Sequence, residues 1–192
     1  MKRLLLLNLF CGLLNPVFAQ SGPGLKVGAT YTRYAGPNTN NLDYQVGVQG
    51  GLTYNLRLSQ EGFFSLQPEL LYTQKGARVT EDGRRYSSRL HYLDVPILAR
   101  INTAGFVVEA GPQIGFLLKQ TGNYSGQAPT YAYRKLDLGY VAGLGYQAQQ
   151  GYVAGVRYNG GLADIFDMLA GGTVNPHNNG FQAYLGYVFG QK

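Results

Sequence analysis

Tyr44-Gln45-Val46-Gly47-Val48-Gln49-Gly50-Gly51-Leu52-Thr53-Tyr54-Asn55-Leu56-Arg57-Leu58 alternates without a break. Every even position is apolar or glycine, and the odd positions are polar or glycine. A period of two sends the two sets to opposite faces of a β-strand. The run also far exceeds the roughly 5–6 residues of an average soluble strand. A tilted strand that crosses a bilayer needs about 9–11 residues with one apolar face. The stretch predicts a transmembrane β-strand.

Working outward, the same alternation recurs near residues 24–34, 63–76, 90–101, 106–119, 135–148, 151–162 and 181–190, giving eight strands with 44–58. Short connections at 59–62, 102–105 and 149–150 alternate with long ones at 35–43, 77–89, 120–134 and 163–180. Short periplasmic turns and longer extracellular loops mark outer-membrane barrels. The expected fold is all-β: an eight-stranded antiparallel up-and-down transmembrane β-barrel with both termini on the periplasmic side.

Charge separates between the faces. One face of the seven other strands carries residues such as Leu25, Val27, Phe64, Leu70, Val95, Ile97, Phe106, Val108, Leu138, Leu144, Val156 and Leu185. Its titratable exceptions are Arg33 and His91, each at the loop end of its strand. A base facing lipid costs roughly 2–4 kcal/mol at the midplane and little at the interface. The other face holds Lys26, Arg57, Glu69, Lys75, Asp94, Arg100, Glu109, Lys119, Asp137 and Arg157. Six bases and four acids inside a narrow barrel must pair, because an isolated buried charge is expensive. The expected interior network comprises Arg57, Glu69, Asp94, Arg100, Glu109, Asp137 and Arg157. If Ile101 lies opposite Phe106, Arg100 is a diagonal neighbour of Glu109, while Glu69, Asp94 and Arg157 form a second group nearer mid-barrel. Gly139, Gly143 and Gly145 leave room for these side chains. An eight-stranded barrel is just wide enough for side chains to fill it, which argues against a wide pore.

The amino terminus supplies an address. Lys2 and Arg3 precede an apolar stretch from Leu4 to Leu14, and Val17-Phe18-Ala19 ends in a small residue. That is the pattern of a secretory signal peptide spanning 1–19, with the barrel domain over 20–192. Its removal lowers the formal charge from +6 to about +4 and takes away Cys11, the one cysteine. No disulfide framework or thiolate metal site is then expected. A mildly basic chain without a recognition motif does not point to nucleic acid. No apolar run long enough for a spanning helix follows the leader.

Motifs for chemistry are sparse. Gly143-Leu144-Gly145-Tyr146-Gln147-Ala148 matches a dinucleotide fingerprint, but alternation continues through it where a helix should begin, so no cofactor is expected. His91 and His177 lie on different connections and form no triad or metal spacing. Asp164 and Asp167 are the candidate cation ligands, and solvated loop acids are the plainer reading. Residues 78–89 hold Arg78, Arg84, Arg85 and Arg89. Guanidinium groups grip phosphate in two-pronged fashion, and outer-leaflet lipid presents phosphates. These arginines are the candidate lipid-phosphate contacts.

The segments Gln67-Pro68-Glu69-Leu70-Leu71-Tyr72-Thr73-Gln74-Lys75-Gly76, Leu93-Asp94-Val95-Pro96 and Glu109-Ala110-Gly111-Pro112 resemble the PorT-like, OmpA/OmpX-type outer-membrane β-barrel proteins. Gly143-Leu144-Gly145-Tyr146 and Gly155-Val156-Arg157-Tyr158 fit the same resemblance. It implies an outer-membrane location, no catalytic residues and, for some members, a part in protein secretion. The expectation is a non-enzymatic barrel that anchors or scaffolds. Its partners are outer-membrane lipid and lipopolysaccharide, with loops or turns offered to a protein. A narrow channel and a soluble lipocalin-like binder are the competing readings.

Overall fold

The computed structural model describes residues 21–37, 39, 42–59, 62–81, 84–123, 133–165 and 176–190. The expected leader over 1–19 and the loop segments 124–132 and 166–175, with Asp167, lie outside the described residues. The strands are β1 (Gly22–Ala35), β2 (Leu42–Arg57), β3 (Phe64–Glu81), β4 (Arg84–Thr103), β5 (Phe106–Asn123), β6 (Leu136–Gln147), β7 (Tyr152–Gly161) and β8 (His177–Val188). Each pairs antiparallel with its neighbour in the chain, and β8 closes onto β1 from Gly24↔Val188 to Ala35↔His177. Closure removes the free edges that an open sheet would expose.

The burial pattern is that of a soluble barrel turned inside out. On β2, Val46, Val48, Leu52 and Tyr54 are exposed, while Gln45, Gln49, Thr53 and Asn55 are buried. The outer wall continues with Val27, Phe106 and Leu185, each more than 60% exposed. A water-soluble protein rarely shows contiguous apolar patches beyond a few hundred Å². A lipocalin-like binder would need the opposite arrangement, so this reading falls. The fingerprint at Gly143–Ala148 runs through β6 as strand, without the helix that a dinucleotide would need.

Several strands reach further than their alternation suggests. The expected loop over 77–89 is mostly hairpin: pairing continues from Gly76↔Arg89 to Glu81↔Arg84. Polar residues such as Arg78, Thr80, Arg84, Ser87 and Ser88 dominate the segment, which blurs the two-residue pattern while the backbone ladder persists. His91 therefore sits inside β4 and His177 opens β8, rather than either lying on a connection.

Two local features reset the register. Tyr92 faces Leu117 but His91 faces Lys119, so β5 carries one extra residue there. Such a bulge inverts which side chains point in. Lys119, expected inside, is exposed on the outer wall. At the β4–β5 turn, Thr103 pairs with Phe106, leaving Ala104 and Gly105 as a two-residue loop with φ of 51° and 90°. Positive φ at both positions is the hairpin geometry that suits strand twist. Asn102 Oδ1 accepts from the Gly105 N–H at 3.0 Å. The tight turn places Arg100 directly opposite Glu109, not diagonal to it as the expected register had it.

Candidate functional site: a filled lumen beneath a basic rim

The inward charges gather at two levels. Nearer the short turns, Glu69 accepts from Lys26 Nζ at 2.6 Å and from both terminal nitrogens of Arg157 at 2.8 and 2.9 Å. Arg157 Nε donates to Glu109, which also accepts from Tyr184 Oη at 2.8 Å. Arg100 Nε lies 3.2 Å from Glu109 Oε2 but is misaligned for a hydrogen bond, so this contact is electrostatic. Its terminal nitrogen donates to Gln67 instead. Tyr184 stacks under two cations, with Lys26 Nζ at 4.2 Å and the Arg157 guanidinium carbon at 4.6 Å from its ring centre.

Arg157 is the hub because its planar fork matches a carboxylate in two-pronged fashion and still leaves Nε for a second acid. Small residues make its room. A Cβ on Gly143 would stand 2.7 Å from Arg157 Cγ, and one on Gly155 would stand 2.6 Å from Tyr184 Oη.

Nearer the long loops, Lys75 Nζ bridges Asp94 Oδ1 at 3.1 Å and Asp137 Oδ2 at 3.0 Å. Asn178 Nδ2 donates to the same Asp137 oxygen at 3.1 Å. Asp94 thus belongs with Lys75 and Asp137, not with Glu69 and Arg157 as expected. Its strand places it opposite Leu71 and Gly115, on the loop side of Glu69. Arg57 stands apart at the turn end of β2, half-buried, beside a polar cup of about 620 Å³ that Arg100, Asn102 and Gln147 also line. Further in, the space beside Lys26 and Arg100 and the space beside Lys75 and Asp137 each shrink to about 10 Å³. A single water fills such a volume.

The loop end is closed differently, by apolar packing. Tyr34, Ala77, Leu90 and Tyr92 form a buried cluster with Ile165, which follows β7 and turns back into the mouth. Backbone bonds from Arg134 N to Ile165 O and from Ile165 N to Pro176 O hold that turn in place. Tyr92 and Tyr184 lie on the inward phase of their strands, but charge alone does not single them out. Period-two reading has no purchase on Ile165, which lies outside any strand.

The four candidate phosphate-binding arginines are strung along the β3–β4 hairpin rather than gathered. Arg78 pairs with Ser87 and gives its Nε to Gln45 Oε1 at 2.8 Å. Arg84 is exposed, and the side chain of Arg85 lies outside the described residues. Arg89, half-buried opposite Gly76, keeps an Nε without a hydrogen-bond partner. Asp164, the other candidate cation ligand, lies 3.6 Å from His177 Nδ1.

A family model described as outer membrane protein beta-barrel domain matches residues 18–167. No curated protein matches the chain. Among solved structures, Neisserial surface protein A is similar with a TM-score of 0.56 at 14% identity, over 88% of this chain and 99% of that one. Ail, the attachment invasion locus protein of Yersinia pestis, is similar at 0.53 and 16% identity with the same coverage. Its complex with the heparin analogue sucrose octasulfate is similar at 0.50 and 12%, again over 88% and 99%. These likenesses concern the eight-stranded closed barrel. With most of its length matched by the family model, the chain belongs to the outer membrane protein beta-barrel domain family.

Proposed function

We infer that the protein is a sealed, non-enzymatic outer-membrane barrel that anchors an interaction surface at its long-loop end. The carrying observation is the lumen: two layers of buried ion pairs occupy it, with spaces of about 10 Å³ beside Lys26 and Arg100 and beside Lys75 and Asp137, and the Ile165 cluster caps the loop end. A narrow channel would need a continuous polar path past those groups. The interaction surface is basic. Arg33, Arg84, Lys119, Arg134 and Lys135 are exposed at that end, against Asp43 as the exposed acid among the described residues. Ail, similar in fold, has been crystallised with a sulfated polyanion, and a basic loop end suits attachment to anionic partners here. A part in secretion, which the PorT-like resemblance implies, is a second use of the same anchored surface.

In this reading residues 1–19 are cleaved, and the long loops face outside. The test combines a measurement on the purified protein with one on intact cells. Planar bilayers should show no steady conductance, and a cysteine replacing Thr80, but not one replacing Ala104, should react with an impermeant reagent on intact cells. Steady ion conductance would return the channel reading; labelling at Ala104 alone would invert the barrel.

A further inference from the structure

The bulge in β5 has a chemical result on the outer wall. It turns Lys119 outward directly opposite His91, and Arg89 lies two residues further along β4, opposite Thr121. Arg89 and Lys119 are therefore diagonal neighbours on one face, a separation of about 7–8 Å between backbones that long side chains close. Both stand near enough to act electrostatically on the imidazole between them. That ring is held by its own bonds: Tyr72 Oη meets Nδ1, and Thr121 Oγ1 meets Nε2 at 2.8 Å. His91 is thus a fixed spacer, and the two flexible cations beside it remain available. Lys119 is exposed, and Arg89 is half-buried with an Nε that is buried and has no hydrogen-bond partner. Among the described side chains of β3, β4 and β5, none on this face is an acid.

Its height on the wall identifies what it meets. The row below His91 is apolar or aromatic, with Tyr72, Leu93, Phe116 and Leu136 paired in register. Below that, the outward residues of β4 are Val95, Ile97, Ala99 and Ile101. From Leu93 to Ile101, strand rise of about 3.3 Å per residue at a tilt of about 40° spans roughly 20 Å. That approaches the ~25 Å apolar band of outer-membrane barrels. The two cations therefore emerge where hydrocarbon gives way to headgroups.

We propose that Arg89 and Lys119 form a clamp for the phosphate of a membrane lipid at the long-loop side of the bilayer, with His91 holding them apart. The site rests on the barrel being membrane-embedded, and it relocates lipid contact from the hairpin tip to the wall. Charge complementarity selects an anionic headgroup, and the apolar row beneath receives its acyl chain.

His91 and His177 are the chain's two histidines, so NMR of the folded protein in an uncharged maltoside detergent gives two ring Hε1 signals, assigned with His177→Gln. Adding phosphatidic acid should move the His91 signal saturably and leave His177 in place. Lys119→Gln and Arg89→Gln should each raise the half-saturating lipid fraction about tenfold, the size of one charge-assisted contact. Arg57→Gln, at the turn end of β2, should leave it unchanged. An equal shift with inorganic phosphate would make this a soluble-anion site, and an equal shift with uncharged diacylglycerol would make it an apolar effect. Either result, or unchanged titration in Lys119→Gln, overturns the lipid clamp. A heat-dependent gel shift, scored separately, shows that each variant is folded, so loss of the clamp is not confused with loss of the barrel.

Discussion

The two charged layers of the lumen solve one problem with opposite surpluses. The turn-side layer sets Lys26, Arg100 and Arg157 against Glu69 and Glu109; the loop-side layer sets Lys75 against Asp94 and Asp137. The first is knit by an arginine fork reaching two acids, with Tyr184 packed beneath it. The second hangs on a single ammonium, and Asp94 Oδ2 has no hydrogen-bond partner. What the second layer lacks in pairing it gains in cover, since Tyr92 places its ring 4.6 Å from Lys75 Nζ and joins the apolar cap. One end is sealed by electrostatics, the other chiefly by packing.

Removing the hub should give the largest effect. Arg157→Ala leaves Glu69 with Lys26 and Gln67, and Glu109 with the Tyr184 hydroxyl and a misaligned Arg100, so both carboxylates lose their guanidinium partner. Breaking a buried pair typically costs about 3–5 kcal/mol. Denaturant unfolding of the refolded barrel in detergent should show a loss in that range, without new conductance, because Tyr184 and Gln67 still fill the layer. A loss below that of an exposed-loop substitution would refute the hub.

The apolar end should respond next. Ile165→Ala removes a side chain that is 3% exposed, and truncating buried isoleucine costs about 2–5 kcal/mol. The lower part of that range is expected here, because a loop relaxes around a vacancy more readily than a strand. If packing seals this mouth, Ile165→Asp should also admit small ions that the parent excludes. Equal exclusion in both would show that the Lys75 layer alone is the seal.

The acid-rich layer should be the more forgiving of the two. Asp94→Asn leaves Lys75 paired one-to-one with Asp137 and removes a surplus charge. Its stability should stay within about 1 kcal/mol of the parent, the scale of one net hydrogen bond. A loss as large as that of Arg157→Ala would erase the contrast between the layers.

How much of this was legible depends on where a residue sits relative to the hydrocarbon. Within the band, lipid forbids charge on one face, so Glu69, Glu109 and Arg157 announce themselves as inward by phase alone. Partner choice was less legible, because the stagger between strands decides who meets whom. Phase alone groups Asp94 with Glu69, whereas its register puts it beside Lys75. Above the band the outer face meets water instead of lipid, so polar residues are allowed on it and the constraint that writes the alternation disappears. That is why β3 and β4 run on as a ladder through an expected loop, and why one inserted residue could turn Lys119 outward unseen. Ile165 obeys no period, and only three-dimensional closure places it.

The smallest effect concerns what sets the Arg100–Glu109 register. Either the ion pair or the turn below it could determine which residues face each other. Ala104 has a φ of 51° without being glycine, in the left-handed region that costs an L-residue about 1–2 kcal/mol. Ala104→Gly relieves that strain and returns part of the gain as unfolded-chain entropy, of order 0.5–1 kcal/mol. A net stabilisation of about 0.5 kcal/mol should result. Combined with Arg100→Gln, the two changes should add, since the substituted amide keeps a polar group beside Gln67 while losing the misaligned ionic contact. Additivity within about 0.3–0.5 kcal/mol is the mark of independent sites. If the turn sets the register, Ala104→Gly stabilises equally with or without the pair. If the pair sets it, the gain vanishes in the Arg100→Gln background, and the electrostatic end of the barrel would owe its alignment to charge rather than to a two-residue loop.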